Sequence, residues 1–169
     1  MKKEINGNIE FKEEQRFRQP WFWILILSPI LASVGITIAV SAGSFGKDDN
    51  EGLLALAIVI PVNLLMLYLF FITRFELVVT DEAVYYKWPP FNRKYKLIAK
   101  SDIEEVYVRK SPVLQLGYKR VIGYGWVHNL GAAKGLQFVF KSGRKIFISC
   151  EKINGFQRAV EKLVPVSLK

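Results

Sequence analysis

WFWILILSPILASVGITIAV, residues 21–40, and LLALAIVIPVNLLMLYLFFI, residues 53–72, decide how the rest of the chain is read. Each run is twenty residues long and contains no Asp, Glu, Lys, Arg or His. With about 1.5 Å of rise per residue, such a helix is about 30 Å long, the thickness of a bilayer's hydrocarbon core. A helix on the surface of a soluble domain carries a polar face, and neither run has one. The eleven Leu, Ile, Val or Phe side chains of the first run and the fourteen of the second, at about −0.3 to −0.6 kcal/mol each, outweigh the cost of Pro29, Pro61 and Asn63. Both runs therefore read as transmembrane helices.

The flanks agree with this reading. Pro20 suits the first turn of a helix, and Trp21 and Trp23 stand where aromatic rings prefer the headgroup level. By segment, residues 1–20 carry a net charge of +1, residues 41–52 carry −2 and residues 73–169 carry +10. The positive-inside rule then places both termini in the cytoplasm, with an acidic external loop at 41–52, in a multi-pass protein of the inner membrane. Val40, Ser41 and Ala42 resemble a signal-cleavage pattern, but the leading segment is long and partly acidic, and the apolar run exceeds the roughly 7 to 15 residues of a signal core.

Within the first run Ser28, Ala32, Gly35 and Ala39 fall on one small-residue stripe, the kind that lets helices approach closely in lipid. In a hairpin of the two runs, Asn63 falls at the depth of Pro29, and is expected to satisfy the Leu25 carbonyl that the proline frees. Pro29, Pro61 and Asn63, together with the stripe, are thus assigned to packing within the membrane rather than to a transport path.

Residues 1–20 form a charged cytoplasmic segment whose apolar positions fit no single period. From Arg74 onward the period becomes two. Phe75, Leu77 and Val79 alternate along one strand, Asp81 and Glu82 make a turn, and residues 83–88 return as a second strand that Pro89 and Pro90 stop. Residues 93–98 read as a third strand. Ser101 to Glu104 have capping-box spacing and predict one helical turn before a fourth strand at 105–110. Glycines at 117, 123, 125, 131 and 135 among aromatic residues predict short bent strands, with no context for a phosphate-binding loop or dinucleotide fingerprint. Residues 135–141 and 144–149 form a second hairpin, and Ile153, Phe156, Val160 and Leu163 mark a closing amphipathic helix.

Catalytic chemistry finds no constellation. Cys150 and His128 are each the sole member of their type, which excludes an internal disulfide and an ordinary zinc site, and no cofactor or metal is implied. Cys150 reads as a small buried residue at a strand end and His128 as a hydrogen-bonded structural histidine. Glu104 and Glu105 would point to opposite faces of a strand. The chain therefore reads as a non-enzyme.

The ordered set Asp102 and Ile103; Ser111 and Pro112; Gly117, Tyr118 and Arg120; Gly125 and Trp126; Asn129; Lys134 and Gly135; Ser142 and Gly143; then a C-terminal helix, resembles the membrane-anchored bacterial pleckstrin-homology-like proteins. The resemblance covers most of residues 74–165. It implies an α+β membrane protein: a two-helix transmembrane hairpin, then a pleckstrin-like β-barrel or sandwich of about seven strands at 73–169 closed by an α-helix. It implies a binding platform rather than a settled activity. Phosphoinositide-binding members place basic residues by the first hairpin loop, where this chain has Asp81 and Glu82, so that recognition does not carry over.

The basic residues suggest a partner. Arg93, Lys94 and Lys96, then Lys119 and Arg120, then Arg144 and Lys145 are candidate contacts to anionic lipid headgroups, each gaining about 1 kcal/mol close to an anionic leaflet. The competing reading is a homo-oligomeric or protein-binding scaffold in a membrane complex, without lipid-specific binding. Tethering to a bilayer argues against nucleic acid.

Overall fold

The computed structural model describes residues 5–41, 50–112 and 116–168, with side chains left aside at 40, 41, 50–56 and 168. The chain divides into two compact units, Phe17–Ile72 on the one hand and Met1–Arg16 with Thr73–Lys169 on the other.

The first unit holds helices α1 (Pro20–Ser41) and α2 (Asn50–Ile72), which pack against each other. Residues 42–49, most of the loop read as external, lie outside the described residues. The start of α1 is fixed by the Gln19 carbonyl, which accepts from the Phe22 and Trp23 amides, and by Trp23 Nε1 donating to the Phe17 carbonyl at 2.9 Å. Phe17, Phe22 and Phe70 form one aromatic cluster with centroids 4.7 to 5.6 Å apart.

The Leu25 carbonyl freed by Pro29 is met by Ser28 Oγ at 3.0 Å, whereas Asn63 Nδ2 donates at 2.9 Å to Val59 of its own helix. The expected bond from Asn63 to Leu25 is not formed, because a hydroxyl three residues away reaches that oxygen at lower cost in conformational entropy. Ser28, Ala32 and Gly35 are exposed, Gly35 has open space where a Cβ would stand, and the buried positions are Phe22 and Ser33.

One helix is long and apolar enough to cross a membrane, over Pro20–Ala39. In α2 the described apolar stretch is Ala57–Ile72, about 24 Å at helical rise and short of the hydrocarbon thickness. The expectation of a two-helix transmembrane hairpin leading into a seven-stranded barrel is corrected on both counts. A single helix meets the length of a span among the described residues, since the beginning of the second apolar run falls outside the described side chains. The strands, ten among the described residues, form two open sheets instead of a closed barrel.

The first sheet is antiparallel in the order β1 (Ile9–Arg16), β2 (Arg74–Thr80), β3 (Ala83–Trp88), β4 (Asn92–Ala99). A 3-10 turn at Lys100–Asp102 leads into the second sheet, made of β5 (Ile103–Lys110), β6 (Gly117–Val121), β7 (Gly125–Asn129), β8 (Lys134–Phe140), β9 (Lys145–Ser149) and β10 (Val166–Leu168). Its order is β10-β5-β8-β9-β7-β6, with β7 parallel to β9 and β10 parallel to β5. Phe75, Leu77, Val84 and Ile98 of one sheet, Leu136, Phe138, Ile146 and Ile148 of the other, and Phe156 and Val160 of α3 (Ile153–Glu161) are buried and make up the core.

The N-terminal segment is the edge of this domain rather than a separate tail. Arg16 of β1 is paired with Arg74 of β2, so the helical unit is an insertion between two neighbouring strands. The inward row of β1 begins with Phe11, stacked on Phe156 of α3 with ring centroids 5.8 Å apart, and continues with the buried polar residues Glu13 and Gln15. Glu13 accepts from the amides of Glu151 and Lys152 at 3.0 and 2.9 Å, from the Cys150 thiol at 3.1 Å and from Gln15 Nε2 at 2.7 Å, tying β1 to the approach to α3.

Candidate anion-binding site

Period two along the sheets should put apolar side chains on every inward position, and at one side of the domain it does not. The register pairs Tyr86 with Lys96, Tyr118 with His128, and Arg120 with Trp126. Lys96 therefore shares the inward face of β3 and β4 with Tyr86, and β6 and β7 turn Tyr118, Arg120, Trp126 and His128 the same way as Ile146 and Ile148. These polar and aromatic inward positions fall where the first sheet ends at β4 and the second at β6, leaving a gap between the sheets.

The gap is a cleft of about 420 Å³ whose lining includes Tyr86, Lys96, Tyr118, Trp126, His128 and Arg144. One wall is aromatic: Tyr118 stacks on Trp126 with centroids 4.9 Å apart and on His128 at 4.7 Å. Lys96 Nζ lies 5.2 Å from the centre of the Tyr118 ring, and the Arg144 guanidinium lies over Phe140 at 4.6 Å.

His128 is only 2% exposed, with Tyr86 edge-on at 4.6 Å and Phe75 at 5.7 Å. Its Nδ1 accepts from Trp88 Nε1 at 2.7 Å, which leaves the neutral ring's proton on Nε2. Burial, reinforced by the Lys96 charge, pushes the imidazole down to about 3, so the ring is neutral at ordinary pH. Burial, with Tyr118 adding to it and Arg144 opposing it, pushes the Tyr86 phenol up to about 12. Both groups are thus held as neutral donors. Among the described residues neither His128 Nε2–H nor the Tyr86 hydroxyl has an acceptor.

A second, more open concavity of about 880 Å³ adjoins the cleft at Trp126 and Arg144, and Arg120, Ile122, Gly125 and Lys145 also line it. It lies between the β6–β7 and β8–β9 turns. Gly125 makes their closeness possible: its φ is +75°, and a Cβ there would stand 2.2 Å from the Lys145 carbonyl oxygen. Ile122, at the tip of its turn, is fully exposed at 101%, an unusual placement for a β-branched apolar side chain next to three cations.

Of the residues singled out in the sequence, Arg120, Arg144 and Lys145 line the groove, and Lys96 lines the adjoining cleft, which shares Arg144 with it. Arg93 and Lys94 are exposed on β4 and line neither cavity, and Lys119 faces the opposite side of β6 from Tyr118. The motif glycines have structural work to do. Gly135 presses β8 onto β9, a Cβ there standing 2.2 Å from the Ile148 carbonyl oxygen, and Gly117 and Gly143 hold positive φ. Asn129 Oδ1 accepts from the Gly131 amide at 2.8 Å and closes the turn after β7. Tyr86 and the cleft role of His128 were not visible in the sequence, because the register that turns them inward depends on pairings made across both sheets.

Cys150 is buried with its thiol donating to Glu13, and burial together with that carboxylate pushes the thiol's pKa upward, the reverse of what a nucleophile needs. No protein-family model matches the chain, and no curated protein matches it.

Proposed function

We propose that this is a membrane-anchored protein whose two-sheet domain docks on the surface of an anionic bilayer. The anchor is the helical unit inserted between β1 and β2, with Pro20–Ala39 as its span. Because Arg16 and Arg74 are paired, the chain leaves and rejoins the sheet domain at one place, so both termini lie on the same side. The net charge of +10 on residues 73–169 supports the cytoplasmic side of the inner membrane for this domain and both termini.

The observation that carries docking is the fully exposed Ile122 flanked by Arg120, Arg144 and Lys145 around a single groove. Cations near an anionic surface gain about 1 kcal/mol each, and a bare isoleucine gains more by entering the acyl boundary than by staying in water. Trp126, partly exposed beside them, has the amphipathic ring favoured at that depth. Kinship with the bacterial pleckstrin-homology-like proteins remains part of this proposal, supported by the order of the motif residues and the helix that follows the last hairpin.

The test uses full-length protein carrying Ile122→Cys labelled with an environment-sensitive dye, the native Cys150 being buried. In liposomes containing phosphatidylglycerol at 0.1 M salt the emission shifts to the blue, and 0.5 M salt, which shortens the screening length about twofold, reverses it. Identical emission in neutral and anionic liposomes overturns the proposal.

A further inference from the structure

The cleft between the sheets asks for a ligand of its own. Two cations, Lys96 and Arg144, and two neutral donors on largely buried side chains, Tyr86 and His128, line one space of about 420 Å³, and among the described residues neither donor has a protein acceptor. Neither donor atom is sealed from solvent, so both are open to the cleft and free to donate to an acceptor bound in it. The four groups come from different directions, from β3, β4, β7 and the β8–β9 turn. A planar carboxylate offers two oxygens in one plane; a tetrahedral oxyanion offers more, in directions that such a set can reach. The space exceeds what an inorganic anion fills, and its remaining wall is the stacked pair Tyr118 and Trp126, a surface for an organic group.

We propose that this cleft binds a phosphate ester, with Lys96 and Arg144 neutralising the phosphoryl charge, the Tyr86 hydroxyl and His128 Nε2–H donating to its oxygens, and the attached organic group lying on Tyr118 and Trp126. The same chemistry is carried by the headgroup of a phospholipid and by a soluble phosphate ester. This inference deepens the proposed docking, and in its lipid form rests on it, since Arg144 and Trp126 belong to both cavities.

Because the chain has one histidine, its ¹⁵N-imidazole resonances report this site alone. Full-length, histidine-labelled protein in a neutral detergent is titrated with inorganic phosphate and with sn-glycerol 3-phosphate, and compared in nanodiscs with and without phosphatidylglycerol. The expected result is a saturable shift of His128 Nε2. Lys96→Gln weakens the apparent affinity about tenfold or more, and Tyr86→Phe by several-fold, while Arg93→Gln on the exposed part of β4 leaves it unchanged. The unliganded Nδ1 resonance, set by the Trp88 bond, verifies that each variant is folded.

A shift with the soluble probes supports a site for a soluble ester; a shift confined to phosphatidylglycerol nanodiscs supports a lipid headgroup. Absence of a saturable shift with every probe, or a shift equally strong in Lys96→Gln, overturns the inference. Docking of the labelled position 122 with a silent His128 overturns this site and leaves the docking proposal standing. A His128 response to the soluble probes without docking does the reverse.

Discussion

Lowering the pH should weaken the sheet domain through one proton. His128 is the only histidine, and its buried imidazole has a folded value of about 3 against 6.5 in the unfolded chain. A depressed folded value means that the unfolded state takes up the proton first. The stabilisation is complete above the unfolded value, and is lost progressively as pH falls from 6.5 towards 3. Between pH 7.5 and 5 the linkage amounts to about 2 kcal/mol, a large part of a small domain's margin. Carboxylates act lower. Against burial, which raises it, Lys87, Tyr95 and Arg74 hold the Glu76 carboxyl below its ordinary value of 4.5, so its contribution is present above 4.5 and is lost only at more acid pH. The interval from 7.5 to 5 therefore isolates His128. Hydrogen exchange of the β7 and β9 amides in full-length protein, corrected for intrinsic rates, should show an opening free energy that falls by about 2 kcal/mol over this interval. His128→Gln should flatten the slope whatever it does to absolute stability. A flat profile in the natural protein, or the same slope in the variant, refutes the reasoning.

Three further expectations follow from the packing. Gly135→Ala places a methyl 2.2 Å from the Ile148 oxygen and must part β8 from β9, costing about 3 kcal/mol; a thermal melt within a degree or two of the natural protein's contradicts this. Glu13→Ala strips the acceptor from the Glu151 and Lys152 amides, the Cys150 thiol and Gln15, and should cost about 2–4 kcal/mol, with faster exchange at residues 150–152 as the check. Cys150 should react with maleimide on the order of tenfold or more slowly than an exposed thiol until the domain unfolds, and labelling at the exposed rate in the native state would refute its assigned environment.

What could be read from the chain depended on how local each signal was. The β2–β3 and β8–β9 hairpins and α3 announce themselves within ten or so residues, through alternation, a turn and a period of three to four. β1 does not. Two of its inward positions are Glu13 and Gln15, whose burial makes sense only with acceptors and donors 134 to 139 residues away, and its strand partner lies beyond the whole helical insertion. The basic groups were visible as pairs in sequence, but their grouping was not. Of the three cations on β4 only Lys96 lines the cleft, and the close approach at Gly125 brings Arg120 beside Arg144 and Lys145. His128 was rightly legible as a hydrogen-bonded residue. That its second nitrogen borders a cleft follows only from Trp88, forty residues earlier, taking the first.

Depth-dependent quenching of the labelled position 122 by lipids brominated near the headgroup tests docking most directly. With full-length protein in liposomes containing phosphatidylglycerol, the dye should be quenched. The quenching should fall away in 0.5 M salt and in the combined Arg120→Gln, Arg144→Gln, Lys145→Gln variant. Quenching of equal depth in neutral liposomes, or none in anionic ones, would contradict a domain seated on the membrane by that turn.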